Sequence, residues 1–166
     1  VENGLFRFYP DSGVIESASG IGDLEKSLAG HEVRAFYEAP DGYLWIGTHG
    51  NGLIRWNEKT GHTVRYNANR TGDRYLETES IRQIIEDAYG NVWLGSQEFG
   101  LFIYDSATDA FERVSHNGMN TVRMGEGTIN SLYLDDRGDI WFSAINKGPF
   151  SIFHLNMHPV GFRFAL

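Results

Sequence analysis

Tryptophan recurs at Trp45, Trp93 and Trp141, two equal steps of 48 residues. Three further columns keep the same step: Val33, Ile81 and Ile129; Gly42, Gly90 and Gly138; Gly4, Gly52 and Gly100. Each glycine of the last column opens a similar run: Gly4-Leu5-Phe6-Arg7-Phe8, Gly52-Leu53-Ile54-Arg55-Trp56 and Gly100-Leu101-Phe102-Ile103-Tyr104. A final copy, Ile152-Phe153-His154-Leu155-Asn156, matches Leu53–Asn57 after a displacement of 99 residues, three more than two periods. A unit of this length cannot bury its apolar face alone, so the copies must stack and share a core.

Each unit reads as four short strands. The first is Val33–Glu38, Ile81–Glu86 and Ile129–Leu134, with apolar residues at its first, fourth and fifth positions. A glycine turn leads to the second, Tyr43–Thr48, Asn91–Ser96 and Asp139–Ala144, where residues at spacing two alternate across the pleat. The third is the Gly-Leu run, and the fourth is His62–Tyr66, Ala110–Ser115 and Gly161–Ala165. No sustained helical period occurs apart from a possible single turn at Asp23–Leu28. Twenty glycines in 166 residues agree with so many turns. The expected fold is all-β, a β-propeller segment of four-stranded blades. Residues 1–16 supply half a blade, and residues 31–66, 79–115 and 129–165 supply one blade each, about 3.5 in all. A closed propeller has about 4–8 blades, so the segment is incomplete alone. The rest of a longer propeller, or a second copy of the chain, is the expected partner. The opening Val1-Glu2-Asn3-Gly4 carries no leader-like segment and begins in mid-motif, as an excised piece would.

The unit Val33…Glu38-Ala39-Pro40-Asp41-Gly42-Tyr43-Leu44-Trp45-Ile46-Gly47-Thr48-His49-Gly50-Asn51-Gly52-Leu53-Ile54-Arg55-Trp56 closely resembles the two-component regulator propeller repeat. Ile81…Glu86-Asp87-Ala88-Tyr89-Gly90-Asn91-Val92-Trp93-Leu94-Gly95-Ser96…Gly100-Leu101-Phe102-Ile103-Tyr104 resembles it equally. The third copy departs, with Ser143-Ala144 in place of Gly-Thr and Lys147-Gly148-Pro149-Phe150 in the following loop. The resemblance implies the extracytoplasmic, periplasmic-side sensor region of a bacterial hybrid histidine kinase or diguanylate cyclase, with an oligosaccharide as ligand. On physical grounds the tryptophan is large enough to fill the wedge between blades. The glycine two residues on leaves room for the neighbouring sheet.

The loops from second to third strand, and those between blades, share one propeller face. The inter-blade loops, about Ser17–Gly30, Asn67–Thr78 and His116–Thr128, have almost no sequence in common. Variation concentrated on one face of a repeat array marks that face as the binding candidate. The matched positions Arg34, Arg82 and Asn130 begin the first strands and are polar where an apolar residue could stand. They would converge on the axis and hold a hydroxylated or carboxylated ligand, or else line a water-filled channel. His49, Gln97, Glu98, Asn146 and Lys147 would sit beside them.

Enzyme signatures are poor: the chain has no nucleophile elbow and no phosphate-binding loop. His154 and His158 are four apart but Pro159 denies them a helical face, and Asp135-Asp136 reads as a turn former. No catalytic residue, metal site or cofactor is assigned. A net charge of −8 opposes nucleic acid and anionic membrane surfaces, and no apolar run reaches the ~20 residues of a membrane span. The absence of cysteine removes thiolate chemistry. The leading reading is a non-catalytic sensor of a carbohydrate-like ligand. A propeller lyase or hydrolase resembling streptogramin lyase, with His49 and Glu98 as the pair to check, and a protein-interaction scaffold are the alternatives.

Overall fold

A computed structural model describes residues 5–17, 22–69, 74–114 and 127–145, and the backbone of 151–155. The repeat builds one antiparallel sheet per unit. The first blade is β3 (Glu32–Glu38), β4 (Tyr43–His49), β5 (Leu53–Asn57) and β6 (Thr63–Asn67) in sequential order. The second is β8 (Ile81–Glu86), β9 (Val92–Ser96), β10 (Leu101–Asp105) and β11 (Ala110–Arg113). The third is β12 (Thr128–Leu134), β13 (Ile140–Ile145) and β14 (Ser151–Leu155); the strand expected at residues 161–165 lies outside the described residues. Before them come a hairpin, β1 (Phe6–Tyr9) and β2 (Val14–Ser17), and one short helix, α1 (Gly22–Leu28), at the expected single turn. One element was not anticipated. The inter-blade loop contributes a two-residue strand, β7 (Arg74–Tyr75), which pairs parallel with β6 as a fifth strand. In the third blade Ala144 pairs with Ser151, so the ladder runs up to the altered loop.

The first strands β3, β8 and β12 stand side by side, and the tryptophans fill the wedges between blades. Trp45 is 1% exposed; its ring lies 5.0 Å from Tyr104 and 5.8 Å from Phe111 of the next blade. Trp93, also 1% exposed, packs with Leu101, Ile129 and Leu132. Trp141 has the same place in its ladder, opposite Tyr133 as Trp45 is opposite Tyr37. It is 37% exposed. The glycine two residues after each buried tryptophan accepts the next blade. A Cβ on Gly47 would lie 2.7 Å from Ile81 Cγ2, and one on Gly95 2.7 Å from Ile129 Cγ2. Both are too close for any side chain.

In the second and third blades the turn between first and second strands is locked by one carboxylate. Asp87 accepts from the Tyr89 and Asn91 backbone N–H groups, from Asn91 Nδ2 and from the Trp93 indole at 2.9 Å. Asp135 repeats the pattern with Trp141 Nε1 at 2.9 Å. The first blade has Ala39 at this place. There Arg55 covers the tryptophan instead, its guanidinium 4.0 Å from the Tyr43 ring, 5.0 Å from Trp45 and 2.8 Å from Asp41. Helix α1 closes the other side of that blade, packing Leu24 and Leu28 on Ile46, Ile54 and Trp56.

Candidate functional site

Arg34, Arg82 and Asn130 share a backbone irregularity. In β3 the ladder passes from Val33↔Thr48 to Ala35↔Gly47 and skips Arg34. In β8 it passes from Ile81↔Ser96 to Gln83↔Gly95 and skips Arg82; in β12 it skips Asn130 between Ile129 and Ser131. Each of the three polar residues is therefore the extra residue of a β-bulge. A bulge frees a side chain from the pleat and re-aims it, and such bulges recur beside binding sites. The apolar pattern carried this signal. Ile81 and Ile84, three apart, are both buried, as are Ile129 and Leu132. An inserted residue brings positions three apart onto one face.

Around the bulges, polar contacts tie each blade to the next. Arg34 Nη1 donates to Gln97 Oε1 at 2.7 Å, bridging the first strand of one blade to the loop after the second strand of another. A second arm of the guanidinium reaches Glu32 at 3.3 Å. His49 Nδ1 lies 2.9 Å from Ser80 Oγ, at an isolated bridge between the two residues. The backbone does the same: Gly52 N–H donates to Glu79 O at 2.8 Å, and the matched Gly100 N–H to Gly127 O at 3.0 Å. Thr128 Oγ1 donates to the Gln97 carbonyl. The loops that follow β4 and β9 are thus each bonded to the entry of the next blade's first strand.

Of the expected site residues, Arg34, Gln97 and His49 are held in these seams, and Glu98 is exposed with its carbonyl accepting from Gly127 N–H. Gln83 Nε2 reaches the Asn130 carbonyl at 3.4 Å. Arg82 is half-buried at its bulge. Asn146 and Lys147 lie outside the described residues, as does His158. His49 bonds Ser80, and no hydrogen bond joins it to Glu98 among the described residues. Residue reasoning overlooked the buried hydroxyls behind the motif. Thr48 and Ser96 donate to the Gly52 and Gly100 carbonyls, each at 2.9 Å, and accept from the Asn51 and Phe99 N–H groups. Ala144 stands where the third blade would have this hydroxyl.

The most perturbed ionisable cluster lies elsewhere, at the β10–β11 turn. Asp109 accepts from Tyr66 OH at 2.6 Å and Tyr104 OH at 2.8 Å, and pairs with Arg74 at 2.8 Å. Burial opposes its charge, but the two phenols and the nearby arginines outweigh burial and hold the carboxyl below its ordinary range. Burial first, then the Asp109 carboxylate, pushes the Tyr66 phenol well above its usual value. Asp109 has φ 52°, where the matched Gly13 and Gly61 have 70° and 71°; aspartate tolerates this region, and here it gains three partners. Among the described residues, no group of three or more histidines and carboxylates could hold a metal ion, and no helix is long and apolar enough to cross a membrane.

Stacked four-stranded sheets with buried wedge tryptophans define the chain as a β-propeller segment. Residues 27–50 and 75–98 match the model of the two component regulator propeller. No match is found among curated proteins. Among solved structures, the extracellular domain of BT4673 from B. thetaiotaomicron is similar over 93% of this chain and 19% of its own length, with 23% identity and a TM-score of 0.65. The extracellular domain of BT3049, a hybrid two component system of the same organism, is similar over 86% and 16%, with 21% identity and a TM-score of 0.56. A Bacteroides caccae protein of unknown function is similar over 95% and 51%, with 18% identity and a TM-score of 0.52. At these identities the likeness is one of fold. The chain spans about a fifth of the length of the two extracellular domains.

Proposed function

We propose that this chain is the ligand-sensing segment of an extracytoplasmic signalling receptor, binding a carbohydrate-like ligand without catalysis. The observation that carries the reading is the repeated bulge, which takes Arg34, Arg82 and Asn130 out of their ladders at one end of three adjacent first strands. Two guanidiniums and an amide can hold hydroxyls and carboxylates directionally, and a guanidinium takes a carboxylate bidentately. His49, Gln97 and Glu98 supply further polar groups. Signal transfer follows from the seams. Gln97 and His49 bond across blades, so a ligand that competes for Arg34 alters the contact between one blade and the next. The similarity of fold to extracellular domains of two-component systems supports the sensory role. The remainder of a longer propeller, or a second copy, completes the ring.

The test is a thermal-shift screen against neutral and uronic-acid oligosaccharides, with the same mixtures assayed for product. A melting shift without turnover, abolished by Arg34→Ala, supports the sensor. Turnover lost in His49→Ala would establish an enzyme, and the absence of both effects would leave the scaffold.

A further inference from the structure

We infer that Arg82 takes the carboxylate of an acidic sugar, and that this residue sets the class of ligand the bulge site accepts. The inference rests on the sensor reading above and deepens it. Arg82 stands apart among the arginines. Arg7, Arg34, Arg55, Arg74, Arg113 and Arg137 each pair with a carboxylate, and Arg65 also has a partner. Arg82 is half-buried, yet among the described residues no hydrogen bond, ion pair or ring contact reaches its guanidinium.

The repeat explains the difference. Arg34, one period earlier, is held from two sides: Gln97 Oε1 accepts at 2.7 Å and Glu32 at 3.3 Å. One step of 48 residues onward, Ser80 stands in the place of Glu32 and Ile145 in the place of Gln97. The strand positions correspond. Glu32 pairs with His49 and Thr128 with Ile145, and the Gln97 N–H donates to the Ser80 carbonyl at 3.0 Å. The Ser80 hydroxyl is committed to His49 Nδ1 at 2.9 Å, and an isoleucine side chain has no acceptor. The second blade therefore keeps the bulge arginine and replaces both groups that would satisfy it.

A guanidinium carries five N–H donors in a planar fork, and a carboxylate meets that fork with two parallel bonds. At Arg34 an anion would have to displace Gln97 and would meet the Glu32 carboxylate; at Arg82 it meets neither. The net charge of −8 repels anions at long range, so an acid bound here is held by a local contact rather than by the general field. Asn130, at the matched place of the adjoining strand, is half-buried, and its side-chain amide makes no hydrogen bond among the described residues. An amide both donates and accepts, which suits the hydroxyls that flank a uronate carboxylate. Ile145 is 40% exposed and offers an apolar contact to the C–H face of a sugar ring.

The test is calorimetric titration of the intact protein with oligogalacturonate and oligoglucuronate, each beside its methyl ester, and with maltotriose. One of the acids should bind roughly tenfold or more tightly than its ester, which lacks only the charge. Arg82→Gln should bring the acid down to the level of the ester, with the melting temperature of the free protein as the control for folding. Ile145→Gln supplies the acceptor that Gln97 supplies to Arg34, and it should weaken the acid with Arg82 still in place. Arg34→Ala should lose acid and ester alike. Equal affinity for acid and ester, or a preference for the acid that survives Arg82→Gln, would overturn the assignment and leave the sensor reading standing. So would binding confined to maltotriose. Binding of none of these sugars would overturn the assignment together with the reading beneath it.

Discussion

Gly47 faces Ile81 across the first seam so closely that a Cβ on the glycine would come within 2.7 Å of the isoleucine Cγ2. The blades approach to backbone-to-side-chain contact only because this position carries no side chain. Gly47→Ala and Gly95→Ala should each cost about 1–3 kcal/mol through forced separation of adjacent blades. Gly42→Ala, at a turn with positive φ and no atom closer than 4.0 Å to an added Cβ, should cost only the strain of that backbone conformation. Urea denaturation of the three variants provides the comparison.

Asp87 holds two backbone N–H groups, an amide and the Trp93 indole, all at 2.8–2.9 Å. Asp87→Ala strands several donors, one of them on a tryptophan buried in the core, and should destabilise by about 3 kcal/mol. It should also shift the Trp93 emission. Asp135→Ala removes the same kind of turn beside the half-exposed Trp141, where water can replace the lost acceptor, so its loss should be smaller. Denaturant melts and fluorescence spectra of the pair decide the order.

Asp109 makes stability depend on acidity. Its folded carboxyl titrates below the value of about 3.9 expected of an unfolded chain. The stabilisation is therefore fully present above about pH 4 and is lost as pH falls through the lower, folded value. Asp109→Asn should be less stable than the parent at pH 7, and the difference between the two should shrink towards pH 2. Unfolding free energies measured across that range would show the two curves converging.

Arg34 is joined to Gln97 and Glu32 by its side chain and to no ladder by its backbone. Arg34→Ala should leave the unliganded melting free energy within about 1 kcal/mol of the parent. If the proposed site is correct, the same variant loses its response to the oligosaccharide that stabilises the parent. A melting curve with and without the sugar separates the two effects.

The blade plan was legible because tryptophan and glycine at a fixed step have one purpose each: to fill a wedge and to admit the next sheet. Strand ends moved by a residue or two. The bulge was visible as apolar residues at the first, fourth and fifth positions, a pattern that a regular pleat does not produce. Polar partners were less legible. The contact of the His49 ring with Ser80 had no signal in the sequence, since it depends on which strand entry the loop is bonded to. Asp135 was legible as a turn former but not as the holder of Trp141, and the matching role of Asp87 toward Trp93 was not read. Strand β7 could not be read at all: two residues in an unrepeated loop carry no period.

The skipped residue in each inner strand divides the labour of the sequence. Neighbouring positions are committed to wedge, notch or ladder, and altering them disturbs the contact between blades. Arg34, Arg82 and Asn130 answer to none of those duties. Substitution at that one position per blade is therefore compatible with an intact scaffold, and it is there that the proposed recognition surface can change.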